Sequence, residues 1–221
     1  MSQRANEKVD VKKVSAEEDI RDALEVIEEV YLREKGWIHL MDRQIPEDVA
    51  RDDKVSWFLC RVRGRPAGVL RLVYDPLIDV PAEYGVTLNE GVDLKQLAAA
   101  GRFVEIGRFA VRPLFRRNIF VALRLMRSAI REVVERNYTH FITDVFEGEA
   151  NSPFHFHTRS LGFEVIGRHL RGDLDCSCTR IILTLDILKA YRRMKRKKSR
   201  VLSTLTEDFT DELEKKLAAN L

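Results

Sequence analysis

Cysteine is scarce in this chain: Cys60, Cys176 and Cys178 are the only three in 221 residues. That count makes no disulfide framework, and Cys176-Ser177-Cys178 lacks other close ligands at metal-site spacing, so all three read as ordinary thiols. Long apolar runs are missing too. The start, MSQRANEKVDVKK, has no apolar secretory segment, and no stretch has the length and apolarity of a membrane span, so a soluble cytoplasmic protein is the expectation. Nor does either sign of charge dominate. With 38 basic and 35 acidic side chains the net charge is only +3, so the placement of charge says more than its sum. What is present in quantity is apolar: 45% hydrophobic residues supply a substantial core and exclude a fully disordered chain.

Along the chain, Val11 to Val14 reads as a short opening strand, and Ser15-Ala16-Glu17-Glu18 as a helix start in which Ser15 caps and Glu18 reciprocates. Ile20, Ala23, Leu24, Ile27, Val30 and Tyr31 form one helical stripe, which carries this helix to about Lys35. VSWFLCRV and AGVLRLVY flank Arg63-Gly64-Arg65-Pro66, the pattern of an antiparallel hairpin. Residues 75–101 hold Pro76, Pro81, Gly85 and Gly91 before a short helix, DLKQLAAA, and read as an insertion or lid outside the sheet. Phe103 to Val111 is a strand. Arg116 to Arg136 follows as a helix with Ile119, Leu123, Met126, Ile130, Val133 and Val134 facing inward. THFITDVF, a helix started by Asn151-Ser152-Pro153, then FEVIGRHL and CTRIILTL complete an α/β (α+β) alternation with a mixed sheet, which excludes a bundle and an all-β sandwich.

The end of the chain differs in character. Residues 1–188 read as one domain and 189–221 as a charged, helical tail. Its first part, KAYRRMKRKKSR, has eight basic side chains and no acid; taking those eight from the total of +3 leaves the remainder at −5. The formal basicity is therefore local. Such a run suits an acidic protein, an anionic lipid surface at the inner face of a membrane, or plain solvation, and no aromatic ladder or base-reading motif favours nucleic acid.

The densest chemistry lies in Glu105-Ile106-Gly107-Arg108-Phe109-Ala110-Val111-Arg112-Pro113, where a carboxylate and two arginines share a strand that runs into an arginine-led helix. From Arg112 to Arg131 there are six arginines and no acid, a face that would attract an acidic partner. The helix start adds unpaired backbone N–H groups, so Arg112, Arg116 and Arg117 are candidates to hold a donor phosphate, against an ordinary charged helix start.

Over about residues 15–185 the strand, helix and Leu161-Gly162-Phe163 order resembles the GNAT acyltransferases, a mostly antiparallel sheet flanked by helices. More narrowly it resembles the branch of long-chain N-acyl amino acid synthases and acyl-homoserine lactone synthases. Glu105 to Phe109 is similar to the E-x-x-R-F signature of the lactone synthases, with Ile106 and Gly107 in place of their serines. Gly68-Val69-Leu70-Arg71-Leu72 is similar to their G-x-x-R-L strand, and Gly36-Trp37 falls where they place a tryptophan near the acyl site. Asn151, eleven residues before Gly162-Phe163, matches a spacing of many GNAT enzymes, with Thr158 in place of their tyrosine acid. The R-x-x-G-x-G loop that cradles coenzyme A is Arg116-Arg117-Asn118-Ile119-Phe120-Val121 here, so the arginine remains while both glycines are β-branched residues that crowd the backbone.

The resemblance implies an N-acyltransferase with no tightly bound cofactor. Its donor would be the acyl-phosphopantetheine of acyl carrier protein, with acyl-coenzyme A as the other source, and its acceptor the amine of an amino acid or similar small molecule. A lactone synthase using S-adenosylmethionine and a non-catalytic module binding an acyl carrier, a membrane or nucleic acid are the alternatives. Attack on a thioester needs a proton acceptor, which makes Glu105 the candidate base, against a structural salt bridge to Arg108 or Arg71. Arg71 and Arg108 suit the acceptor carboxylate, and Val111 a backbone contact to the pantetheine or carbonyl. Trp37, Leu40, Met41, Phe109 and Phe120 are candidates for a fatty-acyl pocket or for ordinary core. His157, beside the Gly162-Phe163 turn, is a proton donor, a local cap or an exposed side chain. Cys60 lies in an apolar strand without a base partner, so no acyl-enzyme is expected.

Overall fold

The computed structural model describes residues 8–41, 44–46, 48–49, 51–76 and 84–219. Pro81, part of the expected insertion, lies outside them. The strands are β1 (Val9–Lys13), β2 (Val55–Val62), β3 (Arg65–Tyr74), β4 (Thr87–Leu88), β5 (Phe103–Val111), β6 (His140–Phe146), β7 (Glu164–His169) and β8 (Arg180–Asp186). The α-helices are α1 (Glu17–Ile27), α2 (Leu94–Ala99), α3 (Ile119–Glu135), α4 (Ile187–Arg196), α5 (Leu202–Thr206) and α6 (Thr210–Ala219). The sheet is mixed and largely antiparallel, with the order β1-β2-β3-β5-β6-β8-β7-β4. The chain divides into two compact units, Met1–Leu72 with Arg108–Arg131 and Val73–Gly107 with Glu132–Leu221, so β3, β5 and α3 each contribute to both.

In the first unit, β2 and β3 form the expected hairpin. Arg63 and Gly64 both take positive φ, +52° and +79°, the left-handed pair that matches a two-residue turn to the twist of its strands. Helix α1 starts one residue later than expected: Ala16, not Ser15, is the N-cap, and its N–H donates to the Asp19 carboxylate at 3.4 Å. Asp19 is buried, and its charge is met by Lys12 at 2.9 Å and Arg61 at 3.1 Å, which ties α1 to β1 and β2. Beyond Ile27 the helix widens to a π-helical stretch, Glu28–Glu34, and stops at Lys35 as expected. On β3, Gly68 is fixed by close approach: an added Cβ would lie 2.8 Å from the Ala110 carbonyl oxygen and 3.1 Å from Val121. The inward stripe of α3 begins at Val121 rather than Ile119, which is 51% exposed.

In the second unit, β5 and β6 are parallel, and β6, β8, β7 and β4 pair antiparallel. The expectation that residues 75–101 stay outside the sheet is corrected here, because Thr87 and Leu88 pair with Arg168 and Gly167 on β7. Asp93 caps α2 through the Lys95 N–H. Residues 187–219 place Tyr191, Met194, Leu205, Phe209 and Leu213 in the core. Gly162 takes a φ of +91° after the helical turn, and Arg193 of α4 packs where its Cβ would be while donating to the Gly162 carbonyl at 2.7 Å.

Candidate active site

Strand β5 carries the central features. Its ladder with β6 runs from Phe103 opposite His140 to Ile106 opposite Thr143, and among the described residues it goes no further although both strands continue. At that limit the buried Thr143 hydroxyl donates to the Ile106 carbonyl at 2.8 Å, satisfying the last ladder acceptor. Two residues on, Arg108 has a φ of +47°, a left-handed conformation that costs a non-glycine residue about 1 kcal/mol and marks a kink in the strand. Glu105 is half-buried on the ladder side of the kink, opposite Ile142.

Arg108 is half-buried with its guanidinium 5.7 Å from the centre of the Tyr31 ring. Tyr31, from the π-helical stretch, meets Trp37 edge-on at 5.6 Å, and the Lys35 ammonium lies 5.7 Å from the Trp37 ring. The fold thus brings Arg108 and Trp37 to the same aromatic residue. Arg71 is half-buried on β3.

Arg112 and Arg116, the first two arginines after β5, are held by acids. Arg112 pairs with Glu25 at 2.7 Å and Glu29 at 2.5 Å, and its Nη1 donates to the Pro66 carbonyl at 3.2 Å. Arg116 grips Glu34 with both terminal nitrogens, one contact at 2.8 Å, and its Nε donates to the Val111 carbonyl at 3.0 Å. Arg116 beside it holds the Glu34 carboxyl below the usual carboxylate range. Arg117 is exposed, Arg131 is exposed, and Arg127 is buried, so the six arginines do not make the single basic face expected from their sequence. The helical turn sends them in different directions.

The proposed acyl residues divide. Trp37, Met41 and Phe109 are half-buried, whereas Leu40 and Phe120 are 70% and 44% exposed. Phe120 shares its exposure with Leu114 and Ile119. Cys60 is completely buried and burial pushes its thiol up to about 12, so it is no nucleophile at neutral pH. His157 is buried too: its Nδ1 donates to the Pro153 carbonyl at 2.9 Å, and burial pushes the ring down to about 4. It is neither exposed nor charged at neutral pH.

Residues 22–172 match the family model of the N-acyl amino acid synthase FeeM. The chain belongs to the FeeM family of N-acyl amino acid synthases. No sequence relative is found among curated proteins. Among solved structures, FeeM, an N-acyl amino acid synthase from uncultured soil microbes, gives a TM-score of 0.58 at 16% identity over 85% of this chain and 95% of that one. An acyl-CoA N-acyltransferase from Pseudomonas aeruginosa gives 0.52 at 15% identity, covering 80% and 99%. The PaiA N-acetyltransferase from Thermoplasma acidophilum, solved with coenzyme A, gives 0.53 at 13% identity, covering 81% and 99%. These likenesses show the GNAT fold; membership in the FeeM family makes the protein an acyltransferase that joins an acyl donor to an amine.

Within this FeeM-family fold, Tyr31, Glu25, Glu29, Glu34 and Thr143 stand beside the expected residues and were not among them. Glu25 and Glu29 lie one helical turn apart, a pattern visible in the sequence. Their partner Arg112 lies 87 and 83 residues away, which no local pattern reveals.

Proposed function

We propose that the protein transfers a medium-to-long fatty acyl group from the phosphopantetheine arm of acyl carrier protein to the amine of an amino acid or a related small molecule. The observation that carries the donor assignment is the surface at the start of α3. Where a coenzyme-binding loop needs glycines, Val121 is buried in the core and Ile119, Phe120 and Leu114 are exposed beside Arg117. Exposed apolar side chains next to a cation suit a protein carrier, which brings its own apolar and acidic surface, better than a free nucleotide.

In the proposed reaction the neutral amine attacks the thioester carbonyl carbon while Glu105, directly or through water, takes the proton that the new N–C bond displaces. The tetrahedral oxyanion is met by backbone N–H donation near Val111. Collapse breaks the C–S bond, Glu105 returns the proton to the departing pantetheine sulfur, and the amide leaves. Arg71 and Arg108 hold the acceptor carboxylate. The buried, protonated Cys60 supports direct transfer without an acyl-enzyme. The exposed basic residues of α4 support an anionic lipid surface as a further partner. Glu105→Gln tests the assignment: turnover with an acyl-carrier donor should fall at least about 100-fold with the fold intact, and a variant that keeps wild-type turnover removes Glu105 as base.

A further inference from the structure

The arginines best placed for the donor phosphate already hold carboxylates of their own chain. Arg112 bonds Glu25 and Glu29, Arg116 bonds Glu34, and Lys35 lies 3.4 Å from Glu34. Three cations therefore face three anions. The Arg112 and Arg116 side chains are only 17% and 22% exposed, so solvent screens these pairs less than surface pairs. Arg117 is exposed and makes no ion pair among the described residues.

We propose that Glu25, Glu29 and Glu34 determine donor specificity. They neutralise the arginines that would otherwise hold the pyrophosphate and 3′-phosphate of coenzyme A, and leave Arg117 for the singly charged phosphodiester of a carrier-borne phosphopantetheine. The inference rests on the proposed donor assignment and adds its cause. A carboxylate at each guanidinium repels a polyanion more than a monoanion, because the repulsion scales with ligand charge. An incoming phosphate must also displace a bidentate carboxylate from Arg116, and a polyphosphate must displace more than one. The crowded helix start cannot compensate with backbone N–H groups, since Val121 is fully buried where a glycine would let the phosphate approach.

The test uses the full chain and one acyl length on two donors, acyl carrier protein and coenzyme A. Wild type, Glu34→Gln, Glu25→Gln and the Glu25→Gln/Glu29→Gln pair are compared for kcat and KM, with coenzyme A binding followed by calorimetry at two salt concentrations. The expected result is a fall of about ten-fold in KM for the coenzyme A thioester relative to the carrier, with tighter, salt-sensitive coenzyme A binding. A merely structural role for these acids would lower the melting temperature and leave the donor ratio unchanged, which overturns the inference. Glu25, with a side chain 52% exposed, provides a variant whose folding is least at risk if Glu34→Gln proves unstable. Failure of the donor assignment shows separately, in wild type: equal kcat/KM on both donors removes the selectivity that the carboxylates are proposed to create.

Discussion

Arg108 combines a left-handed backbone with a guanidinium over Tyr31, so its side chain is retained at a position where glycine would relieve strain. Arg108→Ala should lose the guanidinium and keep the strain, while Arg108→Gly loses both. Chemical denaturation should then place the glycine variant about 0.5–1 kcal/mol above the alanine variant, with acceptor KM raised in each; an alanine variant as stable as the glycine one would remove the strain argument. His157 makes a second prediction. Its folded value near 4 lies below the ordinary 6.5, so the unfolded chain takes up a proton first as pH falls. The stability of the neutral ring is complete above 6.5 and lost on descent to 4, about 3 kcal/mol in all. His157→Phe should flatten that acid limb in urea titrations at several pH values, and an unchanged slope would assign the acid loss elsewhere. At this scale the placement of Glu105 and Arg108 on β5 and of Arg71 on β3 was legible because they sit in short ordered motifs. Tyr31 and the three pairing glutamates were not, since their roles depend on contacts across tens of residues.

Among the elements, the hairpin, α1 and β5 were legible because their alternation or helical stripe spans several turns or pleats and ends in recognisable punctuation. Strand β4 was not: two residues carry no period, and only pairing with β7 makes Thr87 and Leu88 a strand. The π-helical stretch also escaped, because Val30 and Tyr31 fit an α-helical stripe equally well. It carries Glu29, Tyr31 and Glu34, which lie beside Arg112, Arg108 and Arg116. Packing of β3 against β5 and α3 depends on Gly68. Gly68→Ala should cost about 1–3 kcal/mol, read as a lower urea midpoint with unchanged slope, because the nearest neighbour of the new methyl is a backbone carbonyl that cannot rotate away. A variant as stable as wild type would show that β5 yields at Ala110.

For the whole molecule, charge is arranged rather than accumulated. Of the clustered arginines after β5, Arg112 and Arg116 are neutralised and Arg127 is buried, while Lys189, Arg192, Lys195, Arg196, Lys197, Lys198 and Arg200 remain exposed on or just after α4; Arg193 alone of that run turns to the Leu161 and Gly162 carbonyls. Replacing Arg192, Arg196, Lys197, Lys198 and Arg200 with glutamine should reduce co-sedimentation with anionic vesicles by about ten-fold or more and leave turnover of soluble substrates intact. Equal binding by the variant would exclude this face as the lipid contact. No helix among the described residues is long and apolar enough to cross a membrane. Carrier-dependent amide formation is read from mass spectrometry of products from C8 to C18 acyl-carrier donors offered with a mixture of amino acids. An N-acyl amino acid should form with the carrier donor and fail to form in Glu105→Gln. An acyl lactone accompanied by methylthioadenosine, or no amide from either carrier or coenzyme A donors, would contradict it.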